Sequence, residues 1–502
     1  EVLSTLPDRV EPIMNCVTAP SQTMENAVPD VNILSQFRAI LGPKGYSDEN
    51  DVISPWLTDW RGSFTGSSPA LLSPANTQEV SAVIKLAAKH RISLVPQGGN
   101  SGMVAGATPD NSGQQLILSL RRMNSITAID ADDGLVMCDA GVILQNLHEA
   151  AAKVGRRFPL TLGGKGSATI GGLISTNAGG TQVLRHGTMR MLVAGLEAVL
   201  PDGSIYDAMA PLKKDNRGYD LKQLLIGAEG TIGVVTKAVL HTVPALLDRC
   251  VVWAGIDSPT QAYELLLFMQ LHGRERLEGL EILPDRALNT VTTHISGTRA
   301  PLETQHRWHA LMEFVQDDAA QSSPHELAMQ LLEQAMSANL LGNAAIASSD
   351  AQAEAFWKIR ESIAEAERAA GPALQHDISV PVAAMARFIE VEAPPIEAAY
   401  PGTKTLAFGH LGDGNIHFHV TAPDGIDIVN WYAHDGKAIT SHVYDRVRAY
   451  GGSLSAEHGI GQAKIAEFER LAEPARLAAL RAIKNAFDPL GIMNPGKLVP
   501  LA

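Results

Sequence analysis

Residues 92–102 read Ile-Ser-Leu-Val-Pro-Gln-Gly-Gly-Asn-Ser-Gly, a short apolar run that opens directly into a glycine-rich turn. The run from Ile92 to Pro96 predicts a β-strand, because it is apolar and bounded by turn-forming residues. Glycines in the following turn allow several backbone N–H groups to point at one anion, since no side chain blocks its approach. A single loop of this kind is as often a plain turn as a phosphate cradle, so its meaning depends on the rest of the chain.

Two more glycine loops follow in the same half of the chain. The second covers residues 163–172 together with Asn177-Ala-Gly-Gly180, and the third is Gly227-Ala-Glu-Gly-Thr-Ile-Gly233. Three such loops within one half predict a dinucleotide ligand more readily than three unrelated turns. The G-x-G-x-x-G spacing of nicotinamide-binding folds and the Gly-Lys-Ser/Thr ending of P-loops are both absent, which disfavours these two kinds of site.

A cluster of histidine and glutamate occupies the other half of the chain. His417 and His419 lie two residues apart, so in a strand they face the same side, and a Gly-Asp-Gly turn folds His410 back toward them. We therefore expect all three histidines to reach one point. Glu457 and His458 come from a separate loop of small residues. Imidazole and carboxylate ligands without thiolate are typical of an open catalytic site for Zn²⁺ or Mn²⁺.

Bulk composition narrows the class of protein. The 502 residues carry a net charge of −14, which argues against nucleic acid as a partner, since phosphate backbones attract a positive field. This length predicts two or three domains. No apolar stretch reaches the ~18 residues of a membrane-spanning helix. Three distant cysteines, Cys16, Cys138 and Cys250, predict reduced thiols, and hence the cytoplasm or, in a eukaryote, the mitochondrial matrix.

Local patterns predict how the chain is organised. Residues 1–30 carry scattered prolines and acids without an apolar segment, and we expect a loose extension rather than a signal peptide. A capped helix is predicted from Asn76, because Glu79 follows at the capping-box spacing. A break is expected near Pro244, followed by a strand at 250–256 and then by helical stretches as far as residue 370. Residues 404–420 predict a β-hairpin.

Taken together, the three glycine loops resemble the FAD-binding domain of the vanillyl-alcohol oxidase superfamily, also called the PCMH type, over about residues 65–244. The likeness continues through residues 248–502 as an FAD-linked oxidase C-terminal domain. It implies an α+β fold with an FAD-binding domain at 31–247, a substrate domain at 248–455, and a final segment at 456–502 that returns to the flavin. Some relatives attach FAD through a histidine in the first loop; Asn100 and Ser101 stand there instead, which implies non-covalent FAD.

The resemblance also implies which residues contact FAD. They belong to the three glycine loops and to an Asn-Pro-Gly-Lys segment near the end of the chain, which relatives bring back to the flavin. The implied contacts are Pro96, Gln97, Gly98, Gly99, Asn100, Ser101, Gly102, Gly163, Gly166, Ser167, Thr169, Ile170, Gly172, Asn177, Gly179, Gly180, Glu229, Gly230, Ile232, Gly233, Val234 and Asn494.

The histidine pattern resembles one subgroup of this superfamily, the D-2-hydroxyacid dehydrogenases, which includes D-2-hydroxyglutarate and D-lactate dehydrogenases. These carry the motifs GHxGDGNxH and AEHG, matched here by residues 409–417 and 456–459. The resemblance implies that His410, His417 and Glu457 bind a divalent metal, zinc or manganese, and that His458 is the base. The metal would lower the pKa of the substrate hydroxyl, His458 would take its proton, and flavin N5 would accept the hydride.

Substrate contacts are implied for Arg360, His419, Gln375 and Lys497. Arg360 suits a carboxylate because its guanidinium can bind two oxygens, although on an Ala/Glu-rich helix it could also be a surface residue. In D-2-hydroxyglutarate dehydrogenases a Thr and a Lys assist this Arg, where the present chain has Ala364 and Gln375. We therefore expect weaker binding of D-2-hydroxyglutarate and a preference for D-lactate or another D-2-hydroxy acid. Those relatives usually have Asn in place of His419, whose role, substrate contact or added ligand, stays open.

Two other functions share parts of the pattern. An alkyl transfer like that of alkyldihydroxyacetonephosphate synthase keeps the fold but has a different histidine pattern. A flavin-bearing electron-transfer subunit of a glycolate-oxidase-like complex need not keep metal ligands, so the intact histidine–glutamate set argues against it. No nicotinamide site is visible, and an electron-transfer flavoprotein or a quinone is the expected electron acceptor. Related enzymes are often dimers, so a homodimer is expected.

Overall fold

The computed structural model describes residues 26–500 and confirms the α+β class, with three larger β-sheets packed against helices. The extension predicted for residues 1–30 falls mostly outside the described residues, as does Cys16. Cys138 and Cys250 lie within them and are buried and unpaired. Over the same residues, no helix combines the length and apolarity needed to cross a membrane.

Two sheets build the N-terminal half, residues 26–247. Its strands are β1 (Tyr46–Ser47), β2 (Leu71–Leu72), β3 (Ser93–Gln97), β4 (Gln115–Ser119), β5 (Ile126–Asp130), β6 (Leu135–Asp139), β7 (Arg156–Arg157), β8 (Val193–Val199), β9 (Ile205–Ala208), β10 (Val234–His241) and β11 (Val243–Pro244). The first sheet has the order β1-β2-β4-β3, with β2, β4 and β3 parallel. The second is antiparallel in the order β5-β6-β10-β8-β9, while β7 and β11 form a two-residue ladder.

The helices of the N-terminal half are mostly short. They are α1 (Val31–Gly45, interrupted at Gly42), α2 (Asn50–Ile53), α3 (Thr77–His90), α4 (Leu144–Ala152), α5 (Ile170–Thr176), α6 (Val183–His186), α7 (Met189–Leu192) and α8 (Leu221–Leu225), with a 3₁₀ turn at Ser54–Trp56. The predicted cap of α3 is confirmed: Asn76 Oδ1 accepts the N–H of Glu79 at 2.9 Å, and the Glu79 carboxylate accepts the N–H of Ala75 at 2.8 Å. α3 leads directly into β3, which presents the first glycine loop.

A single antiparallel sheet dominates the C-terminal half, residues 248–500. Its strands are β12 (Asp248–Ile256), β13 (Leu277–Pro284), β14 (Trp308–Gln316), β15 (Asn343–Ile346), β16 (Ala373–Ser379), β17 (Lys404–His410) and β18 (Asn415–Thr421). They lie in the order β15-β12-β14-β13-β17-β18-β16. The predicted hairpin at 404–420 is confirmed as β17 and β18, which pair along their whole length.

Helices cover both faces of this sheet. They are α9 (Pro259–Gly273), α10 (Asp285–His294), α11 (Pro324–Ser337), α12 (Asp350–Glu361), α13 (Ile363–Ala370), α14 (Val382–Ala399), α15 (Ile428–Ala433), α16 (Asp435–Ala449), α17 (Ile465–Leu471) and α18 (Pro474–Phe487), with a 3₁₀ turn at Arg274–Arg276. One face, the packing face, forms a large apolar core with α9, α11, α14 and α16. The other, the site face, packs a smaller core against α10, α12 and α13 and carries the polar residues described below.

The expectation of helical stretches between residues 256 and 370 is wrong at three places, where β13, β14 and β15 lie. β13 and β14 are central strands buried on both faces, so their apolar residues run without a period of two. A short continuous apolar run of this kind cannot be told from a buried helix by periodicity. The error matters for function, because β13 carries Glu281.

The end of the chain packs on the N-terminal half. Leu94 in β3 donates its N–H to Ile492 O at 2.8 Å and accepts the N–H of Asn494 at 2.8 Å, so residues 492–494 run beside β3. Ile492 and Met493 are buried in the N-terminal core. The segment between β18 and this return therefore crosses from one half to the other, and it carries Glu457 and His458.

Candidate active site

Four neighbouring strands bring the polar residues together on the site face. In the strand register, Glu281 of β13 lies opposite His410 of β17, and Asp377 of β16 lies opposite His417 of β18. Side chains alternate between the faces of a strand, so these four residues point to the same side. The loop carrying Glu457 closes over them from the C-terminal segment.

Two of the three histidines of the β17–β18 hairpin lie close to Glu457. One ligand atom each from His410, His417 and Glu457 lies within 4.8 Å of the others, and His410 Nε2 is 3.9 Å from Glu457 Oε1. The ring centroids of His410 and His417 are 5.6 Å apart. These distances and donor atoms fit a small divalent cation such as Zn²⁺ or Mn²⁺, which imidazole and carboxylate ligands bind in open sites.

His419 does not join this cluster, contrary to the expectation that all three histidines reach one point. His410 lies at the turn end of the hairpin, opposite Asn415, so it reaches His417 diagonally while His419 lies one strand repeat further away. The imidazole of His419 is buried, and its Nδ1 pairs with a carboxylate oxygen of Glu367 in α13. Gln375 is half-buried directly across the strand pair from His419.

Glu281 links the metal-ligand candidate His410 to Arg360. Its Oε1 pairs with His410 Nδ1, and its Oε2 accepts the Arg360 Nε–H at 2.7 Å. Because Glu281 occupies Nδ1, the His410 atom that faces Glu457 is Nε2. A carboxylate behind a metal-bound histidine commonly orients the ring in this way. Arg360 is buried, so it is not a surface residue, and its Nη2 has no hydrogen-bond partner among residues 26–500. Its guanidinium lies over the Phe408 ring at 4.9 Å.

The charges of this group depend on one another. Burial alone would raise the pKa of Glu281, but Arg360 and His410 beside it hold it well below its usual range. Burial lowers the pKa of His410, and the Glu281 carboxylate more than reverses this, to about 9. Burial raises the pKa of Glu457 to about 7. A cation would therefore have to displace a proton from His410, as metal binding to histidine generally requires.

Asp377 holds the loop that carries the expected base. Its Oδ2 accepts the backbone N–H groups of Glu457 and His458, each at 3.0 Å, and lies 3.4 Å from His458 Nδ1. Asn415 Nδ2 donates to its other oxygen at 2.9 Å. Burial lowers the pKa of His458 to about 4 despite the nearby Asp377, so the ring is neutral near pH 7. With Nδ1 facing Asp377, its Nε2 is free to accept a proton from a bound molecule.

The first two glycine loops pack closely on each other. A Cβ on Gly99 would lie 1.8 Å from Ser167 O, and one on Gly98 would lie 2.1 Å from Thr169 Oγ1, so side chains at these positions are excluded. Within the part of the chain that the structure describes, Gly102, Gly163 and Gly166 instead face open space, and the buried Thr169 hydroxyl has no hydrogen-bond partner. Glycines that face open space beside an unsatisfied hydroxyl fit the phosphates of a dinucleotide.

Several of the remaining residues expected to contact FAD make contacts within the N-terminal half. Asn100 Nδ2 donates to Thr58 O at 2.8 Å, and Asn177 Oδ1 accepts the N–H of Arg190 at 2.9 Å, so both hold loops in shape. Gln97 donates to Trp56 O at 3.0 Å. Pro96 lies against Gly230 of the third loop. Of the other expected contacts, three lie in the hydrophobic core: Ile170, Ile232 and Val234. The rest lie in or directly beside the glycine loops: Ser101, Gly172, Gly180 and Gly233.

The glycine loops of the N-terminal half and the histidine–glutamate cluster of the C-terminal half meet at the loop of residues 456–462. A Cβ on Gly179 in the second glycine loop would lie 3.5 Å from Glu457 Oε1, which places this glycine beside the metal-ligand cluster. Asn494 Nδ2 donates to Glu229 O at 2.6 Å and ties the C-terminal segment to the third loop. Lys497 is buried, with Nζ 3.5 Å from Gln115 Oε1 in β4, so it lies on the N-terminal side of the site.

Sequence reasoning missed Glu281, Asp377 and Glu367. Each is a buried carboxylate from a distant part of the chain, and they pair with His410, His458 and His419 in turn. An acid among apolar residues, as in Leu280-Glu-Ile282, is an available signal, since charged side chains are rarely buried without a partner. The partner itself could not be found in this way.

Two family profiles match the chain. Residues 247–498 match the profile described as "FAD linked oxidases, C-terminal domain", and residues 68–208 match "FAD binding domain". The chain is 35% identical over 472 residues to the mitochondrial D-2-hydroxyglutarate dehydrogenase of Arabidopsis thaliana, covering 94% of this chain and 82% of that protein. It is 35% identical to the D-2-hydroxyglutarate dehydrogenase of Xanthomonas citri pv. viticola, covering 93% and 97%. A putative mitochondrial D-lactate dehydrogenase of Schizosaccharomyces pombe is 32% identical, with coverages of 92% and 89%.

Solved structures share the fold. Alkyldihydroxyacetonephosphate synthase superposes with a TM-score of 0.70 at 14% identity, covering 94% of this chain and 87% of that chain. The 4-ethylphenol oxidase from Gulosibacter chungangensis gives 0.69 at 17% identity, covering 94% and 99%, and p-cresol methylhydroxylase gives 0.67 at 14%, covering 93% and 96%. At these identities the likeness shows the fold alone, which confirms the expected FAD-binding architecture.

The profiles span both halves of the chain, and several relatives share more than 30% identity over most of its length. This confirms the resemblance inferred from the glycine loops and the histidine motifs. The chain therefore belongs to the FAD-linked oxidases and, within them, to the FAD-dependent D-2-hydroxyacid dehydrogenases, which oxidise the CH–OH group of a D-2-hydroxy acid.

Proposed function

We propose that this enzyme oxidises its D-2-hydroxy acid with the help of a divalent cation held by His410 Nε2, His417 and Glu457. When bound, the cation supplies a Lewis acid for the substrate hydroxyl and FAD supplies the hydride acceptor. His458 Nε2 takes the hydroxyl proton, while Asp377 keeps the opposite ring nitrogen in place. The convergence of three ligand atoms within 4.8 Å, beside His458, is the observation that carries this proposal.

Arg360 orients the substrate in this proposal. Its Nε donates to Glu281, and its buried Nη2 has no partner in the described structure, so this nitrogen is available for a carboxylate oxygen. The Phe408 ring beneath the guanidinium restricts its movement. Arg360 and His410 both bind Glu281. One carboxylate therefore fixes the residue proposed to bind the substrate acid and a residue proposed to bind the cation.

Anaerobic reduction of the bound flavin tests the proposal. Purified protein is mixed with D- and L-2-hydroxy acids, with and without a chelator, and flavin absorbance near 450 nm is followed, with metal content measured on the same sample. We expect bleaching by D-acids only, and loss of bleaching after chelation that zinc or manganese restores. Yellow protein without metal that no 2-hydroxy acid bleaches would instead favour the electron-transfer subunit.

For the substrate, we propose a D-2-hydroxy acid with a short or uncharged side chain, such as D-lactate. Ala364 and Gln375 offer no charge to a second carboxylate of the substrate, and the buried His419 in the same region already pairs with Glu367. Steady-state kcat/KM over a panel of acids decides this. D-2-hydroxyglutarate as the best substrate would contradict the proposal while leaving the mechanism intact.

For reoxidation of the flavin, we propose an electron-transfer flavoprotein or a quinone, because the sequence contains no nicotinamide-binding motif. The homodimer expected from related enzymes stays a prediction. Turnover with each acceptor, and sedimentation of the purified protein, test these two points.

A further inference from the structure

The loop of residues 456–462, which we call the base loop, is held by two buried carboxylates from different halves of the molecule. At its beginning, Asp377 accepts the consecutive N–H groups of Glu457 and His458. At its end, Glu229 accepts the next pair: the Ile460 N–H reaches Oε1 and the Gly461 N–H reaches Oε2, each at 2.8 Å. Glu229 lies in the third glycine loop, so a residue of the N-terminal half fixes the loop of the expected base.

The Glu229 side chain is turned toward the base loop. It is buried, and within the described residues both oxygens are used by these two backbone N–H groups. The Glu229 carboxylate lies very close to the backbone of the base loop. A Cβ on Gly459 would be 2.8 Å from Glu229 Oε1, and Gly459 has φ +81°. Glycine at 459 therefore allows the carboxylate to come this near.

Other contacts fasten the same end of the base loop. Gln462 Nε2 donates to Ala105 O at 3.0 Å and to Thr108 O at 3.1 Å, and its backbone N–H donates to Val104 O at 3.1 Å. These partners are backbone oxygens of the segment that follows the first glycine loop. Burial raises the pKa of Glu229, and its hydrogen bonds to the Ile460 and Gly461 N–H groups and the nearby Lys464 oppose this shift. Glu229 is the one carboxylate among these partners, and it holds two consecutive N–H groups with one side chain.

We propose that Glu229 is a positioning residue for His458, so that the flavin-binding half places the base for the substrate half. The proposal rests on the role of His458 proposed above. It assigns Glu229 a task different from the direct FAD contact implied by the family resemblance. A base displaced by about 1 Å is expected to cost on the order of 100-fold in rate, and we expect this loss without loss of FAD.

The substitution Glu229→Gln tests the proposal, because the amide keeps the shape but presents at most one acceptor to the two N–H groups. Stopped-flow flavin reduction is measured under anaerobic conditions with the best D-2-hydroxy acid of the panel. We expect the limiting rate constant to fall roughly 30- to 100-fold, with the FAD-to-protein ratio, the metal content and the apparent substrate dissociation constant unchanged. If Glu229 served only general stability, the variant would have a lower melting temperature but an unchanged limiting rate constant.

Glu197→Gln is the matched control. Glu197 is a hydrogen-bonded carboxylate of the same half, but its partners Thr77, Thr236 and Lys237 all lie within that half. We expect its limiting rate of flavin reduction to stay within about twofold of the wild-type rate.

Gly459→Ala perturbs the same contact from the other side and replaces Glu229→Gln if that variant does not fold. It should give the same pattern, a slower limiting rate with FAD retained. An unchanged limiting rate in either variant, or loss of FAD from Glu229→Gln with normal reduction after reconstitution, would overturn the proposal. Wild-type protein that no D-2-hydroxy acid reduces would instead contradict the proposed function.

Discussion

Successive side chains of strand β18 point to opposite faces of the sheet, and the two faces have different roles. Ile416, Phe418 and Val420 lie on the packing face, fully buried in the large apolar core. Asn415, His417 and His419 alternate with them on the site face, and Asn415 and His419 bind carboxylates from elsewhere in the chain.

The comparison shows how one strand can be stable and reactive at once. The packing face needs only apolar volume, which many sequences supply. The site face needs a partner for each polar group, since a buried charge without one is costly. Changes on the packing face should therefore lower stability, and changes on the site face should lower activity.

The largest expected effect is at the expected base, whose loop closes over the site face. His458→Ala should reduce the limiting rate of flavin reduction by about 10²- to 10⁴-fold, the usual contribution of general base catalysis. The flavin spectrum and melting temperature should stay close to wild type, because the backbone N–H that binds Asp377 is kept. Unchanged bleaching in stopped-flow experiments would refute His458 as the base.

On the packing face, Phe418→Ala should destabilise the fold by about 3–5 kcal/mol, because it leaves a cavity where a fully buried ring meets Phe388 edge-on. Denaturant unfolding measures this loss. At a temperature where the variant is folded, kcat should remain within a few-fold of wild type. A loss of kcat as large as that of His458→Ala would show that the two faces are not independent.

Glu281→Gln should weaken metal binding by about 10- to 100-fold, because the amide no longer provides a charge behind His410. Competition with a chromophoric chelator gives the dissociation constant for zinc or manganese. Glu313→Gln is the matched control, since Glu313 is a buried glutamate of the adjacent strand β14 whose partners are Trp357 and Arg249 rather than His410. Equal metal affinity in the two variants would refute the role of Glu281.

The smallest effect concerns pH and a histidine of the packing face. Burial lowers the pKa of His376 to about 3, and its ring bonds to Phe418 O and Thr440 Oγ1. The unfolded chain binds a proton here below about pH 6.5 and the folded chain does not, so stability is full above that pH and is lost as pH falls toward 3. Between pH 7.5 and 5 the loss is about 2 kcal/mol.

His376→Gln should make the unfolding free energy less sensitive to pH over this range. Urea titrations of both proteins at pH 7.5 and 5.0 measure the difference. An identical pH dependence would mean that other groups, rather than His376, cause the loss of stability in acid.

Much of this architecture could be predicted from local sequence. The alternation of β18, the turn after His410 and the cap of α3 each involve residues within a few positions of one another. The glycine loops and the AEHG motif were also recognisable because their residues are contiguous. The strands β13 and β14 were missed, since residues buried on both faces show no alternation.

The sequence by itself determined which residues could do chemistry: the metal-ligand candidates, the expected base and the loops that suit FAD. Only the tertiary structure decided how they are held, with Glu281 behind His410, Glu367 behind His419, and Asp377 and Glu229 at the two ends of the base loop. It also separated His419 from the metal cluster. The physical reason is distance along the chain: a buried polar group must find a partner, but sheet register and the docking of the two halves select which distant residue provides it.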